Sequence, residues 1–278
     1  MRKERVTENV YVFTSEMYAQ VTAGAIVTNE GTVVIDTLPF PRETREMIDF
    51  LRGESKRGIR YIINTHHHAD HIYGNYLFAD ADIISGEKCR EVMRKTGEKN
   101  LAEAKTQTPE LAEVSLRLPN IVFQDKLTLH LGDRVMRLMP LPGHTQDGIG
   151  VYVEGEKILF SGDAVMPLPY IFWGDRELLM ATLRMIKEMN LENIVQGHGE
   201  VLLKGEIDDT LEVGLAYLDC IYEKVKTKLA TRTSKERLIN DISLEDCGYS
   251  PIALDGLVKQ LHRSNLQRIY QTLTAKSR

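Results

Sequence analysis

The chain has 278 residues, of which 42% are hydrophobic and 27% charged, and its formal net charge is −5. These values suit one domain with additions, because no linker, repeat or low-complexity tract divides the chain. No run of Lys or Arg suggests a surface that binds nucleic acid. No stretch approaches the ~20 apolar residues of a membrane span, and the charged N-terminus lacks the apolar core of a signal peptide. We therefore expect a cytoplasmic protein.

The first quarter of the chain alternates strand-like and helix-like segments. Short strands are predicted over Val10–Thr14, Ala23–Thr28 and Thr32–Asp36, followed by a helix over 42–55 with an apolar side. The β-branched run Ile59–Thr65 then predicts a buried strand.

Further along, helical and strand-rich stretches continue to alternate. We predict a helical insertion between the sheets over 86–118, followed by a strand-rich stretch over 119–161. An amphipathic helix is predicted over 176–190, and two C-terminal helices over 207–230 and 252–273. Strand, helix and strand in alternation favour the α/β class. Cys89, Cys220 and Cys247 lack paired spacing, so free thiols are expected rather than a disulfide.

Four of the eight histidines fall in the hexapeptide His66-His67-His68-Ala69-Asp70-His71, directly after the predicted strand. His66 and His68 share one side of an extended segment, whereas His67 points away from them. Asp70 and His71 follow after the chain turns. Two groups of ligand-type side chains on one short stretch indicate two adjacent metal ions.

Three later motifs add one ligand-type residue each. His144 lies in Pro-Gly-His-Thr, Asp163 in Ser-Gly-Asp-Ala and His198 in Gln-Gly-His-Gly. Each follows a strand-like run, and each has a flanking glycine that lets backbone approach a metal site closely.

These motifs, in this order, resemble those of the metallo-β-lactamase superfamily, over roughly residues 10 to 200. The resemblance implies a four-layer αββα sandwich of two mixed β-sheets with helices outside. On that basis 1–230 form the sandwich domain, and 231–278 form a helical C-terminal extension packed on the same domain. The implied first-metal ligands are His66, His68 and His144, the second-metal ligands are Asp70, His71 and His198, and Asp163 bridges both ions.

The ligand types indicate the chemistry. Five imidazoles and two carboxylates suit two divalent ions per chain, with Zn²⁺ favoured and Mn²⁺ or Fe²⁺ also suitable. Because a metal can lower the pKa of bound water from 15.7 to about 7, a bridging hydroxide is available to attack an electrophilic carbon or phosphorus. Asp70 is the expected catalytic residue, orienting the hydroxide and passing its proton to the leaving group.

The bridging position favours a substrate class. The zinc β-lactamases of the family have Cys or Ser where this chain has Asp163, which is similar to the glyoxalase II, lactonase and phosphodiesterase branches. We therefore expect hydrolysis of a thioester, ester or lactone, with phosphodiesters second. Met166 departs from the lactonases, which have a tyrosine at that position.

A different chemistry stays open on the same scaffold. His66, His144 and Asp163 offer the two-imidazole, one-carboxylate set of a mononuclear iron oxygenase, similar to the persulfide dioxygenases. All seven ligand types of a two-ion site are present, which favours hydrolysis. The expected partner is a small-molecule substrate, and a homodimer stays open.

The residues after the bridging aspartate suggest where substrate binds. Pro167 and Pro169 exclude a regular helix or strand from the apolar segment 164–173. Phe172 and Trp173 are candidates for an apolar wall, opposite Met17 and Tyr18, and Tyr73 is a candidate hydrogen-bond donor. The alternative for this segment is packing under the C-terminal helices or a dimer contact.

Overall fold

A computed structural model describes residues 1–275 and contains two mixed β-sheets. The first sheet has, in spatial order, β1 (Arg2–Arg5), β2 (Val10–Thr14), β3 (Thr22–Thr28), β4 (Gly31–Ile35), β5 (Ile59–Asn64), β6 (Asp82–Gly86) and β7 (Ile121–Phe123). Neighbours from β1 to β4 are antiparallel, whereas those from β4 to β7 are parallel.

The second sheet has, in spatial order, β13 (Val201–Leu203), β12 (Asn193–Gln196), β11 (Ile158–Gly162), β10 (Ile149–Val153), β9 (Arg134–Pro140) and β8 (Leu127–Leu131). The pair β11 and β12 is parallel, and the other neighbours are antiparallel.

Seven α-helices are present in the described part of the chain: α1 (Pro41–Glu54), α2 (Ala69–Ile72), α3 (Glu87–Gln107), α4 (Arg176–Lys187), α5 (Lys204–Ala230), α6 (Lys235–Asp241) and α7 (Val258–Ala275). α1 begins at Pro41, and the missing N–H of proline loses no hydrogen bond there, because the first N–H groups of a helix have no partner within the helix. The side chain of Asp175 accepts a hydrogen bond from the Leu178 N–H and so caps α4.

Alternation along the strands produces the four layers. In β2, Val10 and Val12 face the core between the sheets, while Tyr11 and Phe13 belong to the outer cluster that includes residues of α1. The sheets approach closely at Gly24, where a Cβ would lie 2.1 Å from the ring of Phe160. α4 and α5 belong to the cluster on the outer side of the second sheet. The predicted αββα sandwich is confirmed.

Parts of the predicted order were wrong, and three strands, β1, β6 and β13, were missed. β7 pairs with β6 in the first sheet, so 86–118 connects two strands of that sheet and does not separate the sheets. β1 was not predicted, because its residues are charged and exposed and it joins the sheet through backbone pairing with β2.

The C-terminal helices pack on the sandwich as expected. Leu238 of α6 and Leu266 of α7 belong to the same buried cluster as residues of α4 and α5. A division of the chain at residue 230 stays a prediction, and 276–278 of the predicted extension lie outside the described residues. Between residues 1 and 275, no helix is both long enough and apolar enough to cross a membrane.

The expectation of three free thiols was wrong. Cys220 of α5 and Cys247 form a disulfide across 27 positions of sequence, with their Cα atoms 5.7 Å apart, and Cys89 is free and buried. Sequence spacing concealed the pair because the turn after α6 brings Cys247 back against α5. The bond attaches the C-terminal extension to the sandwich.

We predict that alkylation of the unfolded chain without reductant modifies one cysteine, Cys89, and that prior reduction exposes all three. Closing this loop restricts the unfolded chain, so Cys247→Ser should lower the free energy of unfolding by about 3 to 4 kcal/mol. Intact-mass spectrometry and urea unfolding measure the two effects. Three adducts on unreduced protein would rule out the disulfide.

Candidate metal centre

The seven predicted ligand side chains meet at one edge of the sandwich, at the ends of four strands. The loop after β5 carries His66 and His68, and the one-turn helix α2 that follows carries Asp70 and His71. His144, Asp163 and His198 come after β9, β11 and β12 respectively. Both sheets therefore contribute ligands to one site.

Asp163 lies at the centre of this arrangement. Its Oδ1 is 3.2 Å from His71 Nε2, and its Oδ2 is 3.2 Å from His144 Nε2 and 3.6 Å from His198 Nε2. Oδ2 is also 3.7 Å from His66 Nε2. The carboxylate thus faces ligand atoms from both halves of the cluster.

The side chains form two groups. Within each group, every residue offers one ligand atom that lies within 4.8 Å of the ligand atoms of the other members. The first group consists of His66, His68, His144 and Asp163, and the second of Asp70, His71 and His198. Within the second group Asp70 Oδ2 is 3.3 Å from His198 Nε2. The grouping matches the two ligand sets that the family resemblance implies.

Hydrogen bonds on the far side of the rings fix their orientation. His144 Nδ1 donates to the Tyr170 carbonyl and His198 Nδ1 to the Ala19 carbonyl, each at 2.9 Å. A carbonyl oxygen only accepts, so the proton is on Nδ1 and the lone pair of a neutral ring is on Nε2, facing the cluster. Such outer partners orient metal ligands in proteins.

Asp36 supports His71 in the same way, and the sequence analysis did not identify it. Its Oδ2 lies 2.8 Å from His71 Nδ1 and accepts a hydrogen bond from the Thr65 hydroxyl, while its Oδ1 accepts one from the Thr65 N–H. Asp36 is 3% exposed and has a φ of +57°. An acidic residue directly after the apolar strand β4 was the signal that could have indicated this role.

The charges of the site show in its pKa values. Burial acts to raise the pKa of Asp163, but the surrounding imidazoles hold it well below the ordinary value. Burial acts to lower the pKa of His198, yet Asp163 and Asp70 outweigh it and raise that pKa to about 10. Burial lowers the pKa of His68 to about 3. An ion that binds through His198 Nε2 has to displace a proton.

The site fits a divalent ion. Three buried atoms that face the cluster, His66 Nε2, His71 Nε2 and Asp163 Oδ1, have no hydrogen-bond partner among the described residues. Leaving a buried polar atom unpaired costs roughly 1 to 3 kcal/mol. Cations held by the two groups of side chains would satisfy these atoms, and imidazole with carboxylate is a common donor set for Zn²⁺.

Glycine allows the strands to approach the centre. A Cβ on Gly197 would lie 1.9 Å from Asp163 Oδ1, so no other residue fits between β12 and the aspartate. The carbonyl of Gly197 accepts a hydrogen bond of 2.9 Å from the Thr22 N–H of β3. The two sheets are therefore joined directly beside the ligands.

The remaining histidine of the hexapeptide points away, as expected. His67 Nδ1 lies 2.8 Å from Asp147 Oδ1, and the other oxygen of Asp147 accepts from the His67 N–H. Asp147 was not identified from the sequence. Its contact with the middle of the hexapeptide positions the ligands on either side.

A cavity of about 640 Å³ opens onto the centre. Of the five predicted substrate residues, Tyr18 and Trp173 line it. The carboxylate of Asp70, together with burial, raises the pKa of Tyr18 to about 12. Four residues of the C-terminal extension also line the cavity and were missed: Leu254, Leu257, Gln260 and Leu261.

The other three predicted substrate residues lie outside the lining. Tyr73 is 5% exposed and packs with Met93 of α3, because the 3-10 turn after α2 directs it inward. Met17 and Phe172 are not among the lining residues, and the ring of Phe172 packs edge-on against Trp173. Segment 164–173 is irregular, as its prolines predicted, and its buried members pack against the C-terminal helices.

Comparison with known proteins adds the family. A model described as the metallo-beta-lactamase superfamily matches residues 18–198. A beta-lactamase-like protein 2 homolog from Caenorhabditis elegans is 28% identical and aligns over 76% of this chain and 61% of its own length. A hydroxyacylglutathione hydrolase from Methylococcus capsulatus is 24% identical over 72% of each chain. An acyl-coenzyme A thioesterase from Bos taurus is 29% identical over 40% of this chain and 43% of its own.

A solved structure agrees with the fold of almost the whole chain. A metallo-beta-lactamase family protein from Thermus thermophilus superimposes with a TM-score of 0.73 at 16% identity, covering 98% of this chain and 95% of that one. The chain spans less than two thirds of the nematode and bovine relatives. The family resemblance inferred from the motifs is confirmed, and the chain belongs to the metallo-beta-lactamase superfamily.

We predict that Asp36→Asn lowers metal affinity about 10- to 100-fold, because the amide cannot accept from Thr65 and hold His71 as the carboxylate does. Competition with a fluorescent chelator measures the affinity. Asp80→Asn, an exposed change remote from the ligands, is the control. Unchanged affinity in Asp36→Asn would show that Asp36 has no part in holding the ligand.

Proposed function

Because the chain belongs to the metallo-β-lactamase superfamily, we propose that it hydrolyses a thioester, ester or lactone with two divalent ions, favouring Zn²⁺. The observation that carries the proposal is the central position of Asp163, whose carboxylate lies within 3.7 Å of imidazole nitrogens from both ligand groups. A single-ion centre gives no reason for a second group of three ligands beside the first.

The residues that would hold the ions follow from the two groups. His66, His68 and His144 would hold one ion and Asp70, His71 and His198 the other, with Asp163 shared between them. Bound there, the ions would supply an activated water and a Lewis acid for the carbonyl oxygen of the substrate.

The protein's own groups serve position and proton transfer. Asp70 lines the cavity, and although burial acts to raise its pKa, the imidazoles around it lower that pKa to about 2. Its carboxylate therefore stays ionised and can orient the attacking water through a hydrogen bond, and we propose that it also relays a proton from that water to the leaving group. Tyr18, with a hydroxyl that keeps its proton, is a neutral donor on the same wall.

Two relatives support the acyl class, since one is named as a hydroxyacylglutathione hydrolase and another as an acyl-coenzyme A thioesterase. We propose a small-molecule substrate and neither nucleic acid nor membrane as partner. A cytoplasmic location stays a prediction. The Cys220–Cys247 disulfide weighs against it, because disulfides are rare in most cytosolic proteins.

We predict close to two divalent ions per chain in protein purified without added metal. Asp163→Ala should reduce both metal content and activity, the latter by more than ~100-fold, because it removes the shared ligand. Elemental analysis and steady-state kinetics measure this, with Asp80→Ala as control. One iron per chain with O₂ consumption on a persulfide would favour the oxygenase, and normal metal content in Asp163→Ala would remove the bridging role.

We also predict that turnover of esters, thioesters or lactones exceeds turnover of β-lactams by at least ~100-fold. The reason is Asp163 at the position where zinc β-lactamases of the family have Cys or Ser. Parallel assays with p-nitrophenyl esters, thioesters, lactones, bis-p-nitrophenyl phosphate and a chromogenic cephalosporin decide it. Best activity on the cephalosporin or the phosphodiester would contradict the proposed class.

A further inference from the structure

We propose that the C-terminal extension completes the substrate site as an apolar acyl pocket without cationic groups. The preferred substrates are then neutral carbonyl compounds with an apolar acyl chain, rather than acyl groups carried on an anionic thiol such as glutathione or coenzyme A. The inference rests on the proposed function for the reaction, but it concerns binding and can be measured apart from turnover.

The first observation is the composition of the cavity wall. Leu254, Leu257 and Leu261 of the extension line the cavity together with Met166 and Trp173 of the segment after Asp163. Trp173 is 66% exposed, a large apolar surface left open to solvent at the mouth of the site. Such a wall gives no hydrogen bonds to an acyl chain and favours it by apolar burial.

The second observation is how firmly the extension is held over the site. Asn265 of α7 accepts a hydrogen bond from the Ile171 N–H and donates one to the Pro169 carbonyl, and it is fully buried. Arg268 donates to the Gly174 carbonyl at 2.8 Å. Both contacts join α7 to the segment that carries Trp173, so the two apolar walls form one unit.

The turn before α7 has unusual backbone geometry. Leu254 and Asp255 have φ values of +49° and +54°, a region that costs non-glycine residues energy. This turn places Leu254 and Leu257 against the cavity and leaves Asp255 near Gln20, whose Nε2 lies 3.4 Å from Asp255 Oδ2. The extension is thus connected to the loop after β2 on the opposite side of the site.

The third observation is charge. No Lys or Arg side chain between residues 1 and 275 lines the cavity, and the polar side chains of its lining away from the predicted ligands are those of Tyr18, His67, Asn100, Tyr170 and Gln260. Carboxylates and phosphates are usually bound in proteins by Arg or Lys. The two carboxylates of glutathione or the phosphates of coenzyme A would find no such partner in this wall.

The volume of the cavity agrees with a substrate that has an acyl chain of medium length. A cavity of about 640 Å³ lies within the 300 to 1,000 Å³ typical of small-molecule sites. Burying each additional methylene should strengthen binding about fourfold until the wall is covered. Affinity should therefore rise steeply with chain length.

The binding test uses Trp173, which is the only tryptophan and lines the cavity. We titrate the protein with octanamide, a neutral ligand that is not an ester, and with acetamide, and follow tryptophan emission. We expect octanamide to bind at least 100-fold more tightly than acetamide. Equal affinity for the two amides would overturn the inference.

Two variants locate the pocket. Leu257→Lys places a cation in the wall and should weaken octanamide binding at least tenfold, and Leu261→Gln should weaken it to a smaller degree. Ile252→Lys is the matched control, because Ile252 is 78% exposed in the same extension and does not line the cavity. Circular dichroism and thermal unfolding check that each variant folds. Unchanged octanamide affinity in folded Leu257→Lys and Leu261→Gln would remove the extension from the site.

The activity test separates the inference from the proposed function. We expect kcat/KM for p-nitrophenyl octanoate to exceed that for octanoyl-coenzyme A and S-octanoylglutathione at least tenfold, and Leu257→Lys to reduce the difference. A preference for either anionic thioester would overturn the inference and leave the proposed hydrolase intact. Tight octanamide binding without turnover of any acyl substrate would overturn the proposed function and leave the acyl pocket.

Discussion

The structure depends on one buried carboxylate. Asp163 is 5% exposed and sits among four imidazoles that hold its pKa well below the ordinary value. An isolated buried carboxylate is strongly unfavourable, so its neighbours have to be in place for it to stay ionised. The ends of both sheets, the glycine beside it and the hydrogen bonds behind the rings all serve that requirement.

This constraint explains why the ligands sit at strand ends. β5, β9, β11 and β12 each pair with a strand on both sides, so the first residues after them have little freedom. The Thr22–Gly197 hydrogen bond joins the two sheets beside the centre. The Asp36 side chain connects β4 to His71 and Thr65. Positions set in this way need little reordering when an ion binds.

What the sequence could predict was local. Apolar alternation identified most strands, and the hexapeptide with three glycine-flanked motifs identified all seven side chains of the His/Asp cluster, because both signals lie within a few neighbouring residues. β1, the Cys220–Cys247 bond and the role of Asp36 were not predictable in that way, since each depends on a contact between segments far apart in the chain. The apolar wall was half predicted: Trp173 was identified, but its partners in the extension were not.

The cavity wall combines residues from inside and outside the part of the chain that matches the family. The family match covers residues 18–198 and ends at the last ligand, His198. Leu254, Leu257 and Leu261, which form much of the cavity wall, all lie beyond it. Tyr18, Met166 and Trp173 of the wall lie within the match, so similarity there concerns the His/Asp cluster and one side of the cavity, but not the side that the extension contributes. A relative named for a glutathione or coenzyme A thioester can therefore share the His/Asp cluster with this chain and still differ from it in the proposed substrate, because Leu254, Leu257 and Leu261 lie outside the matched region.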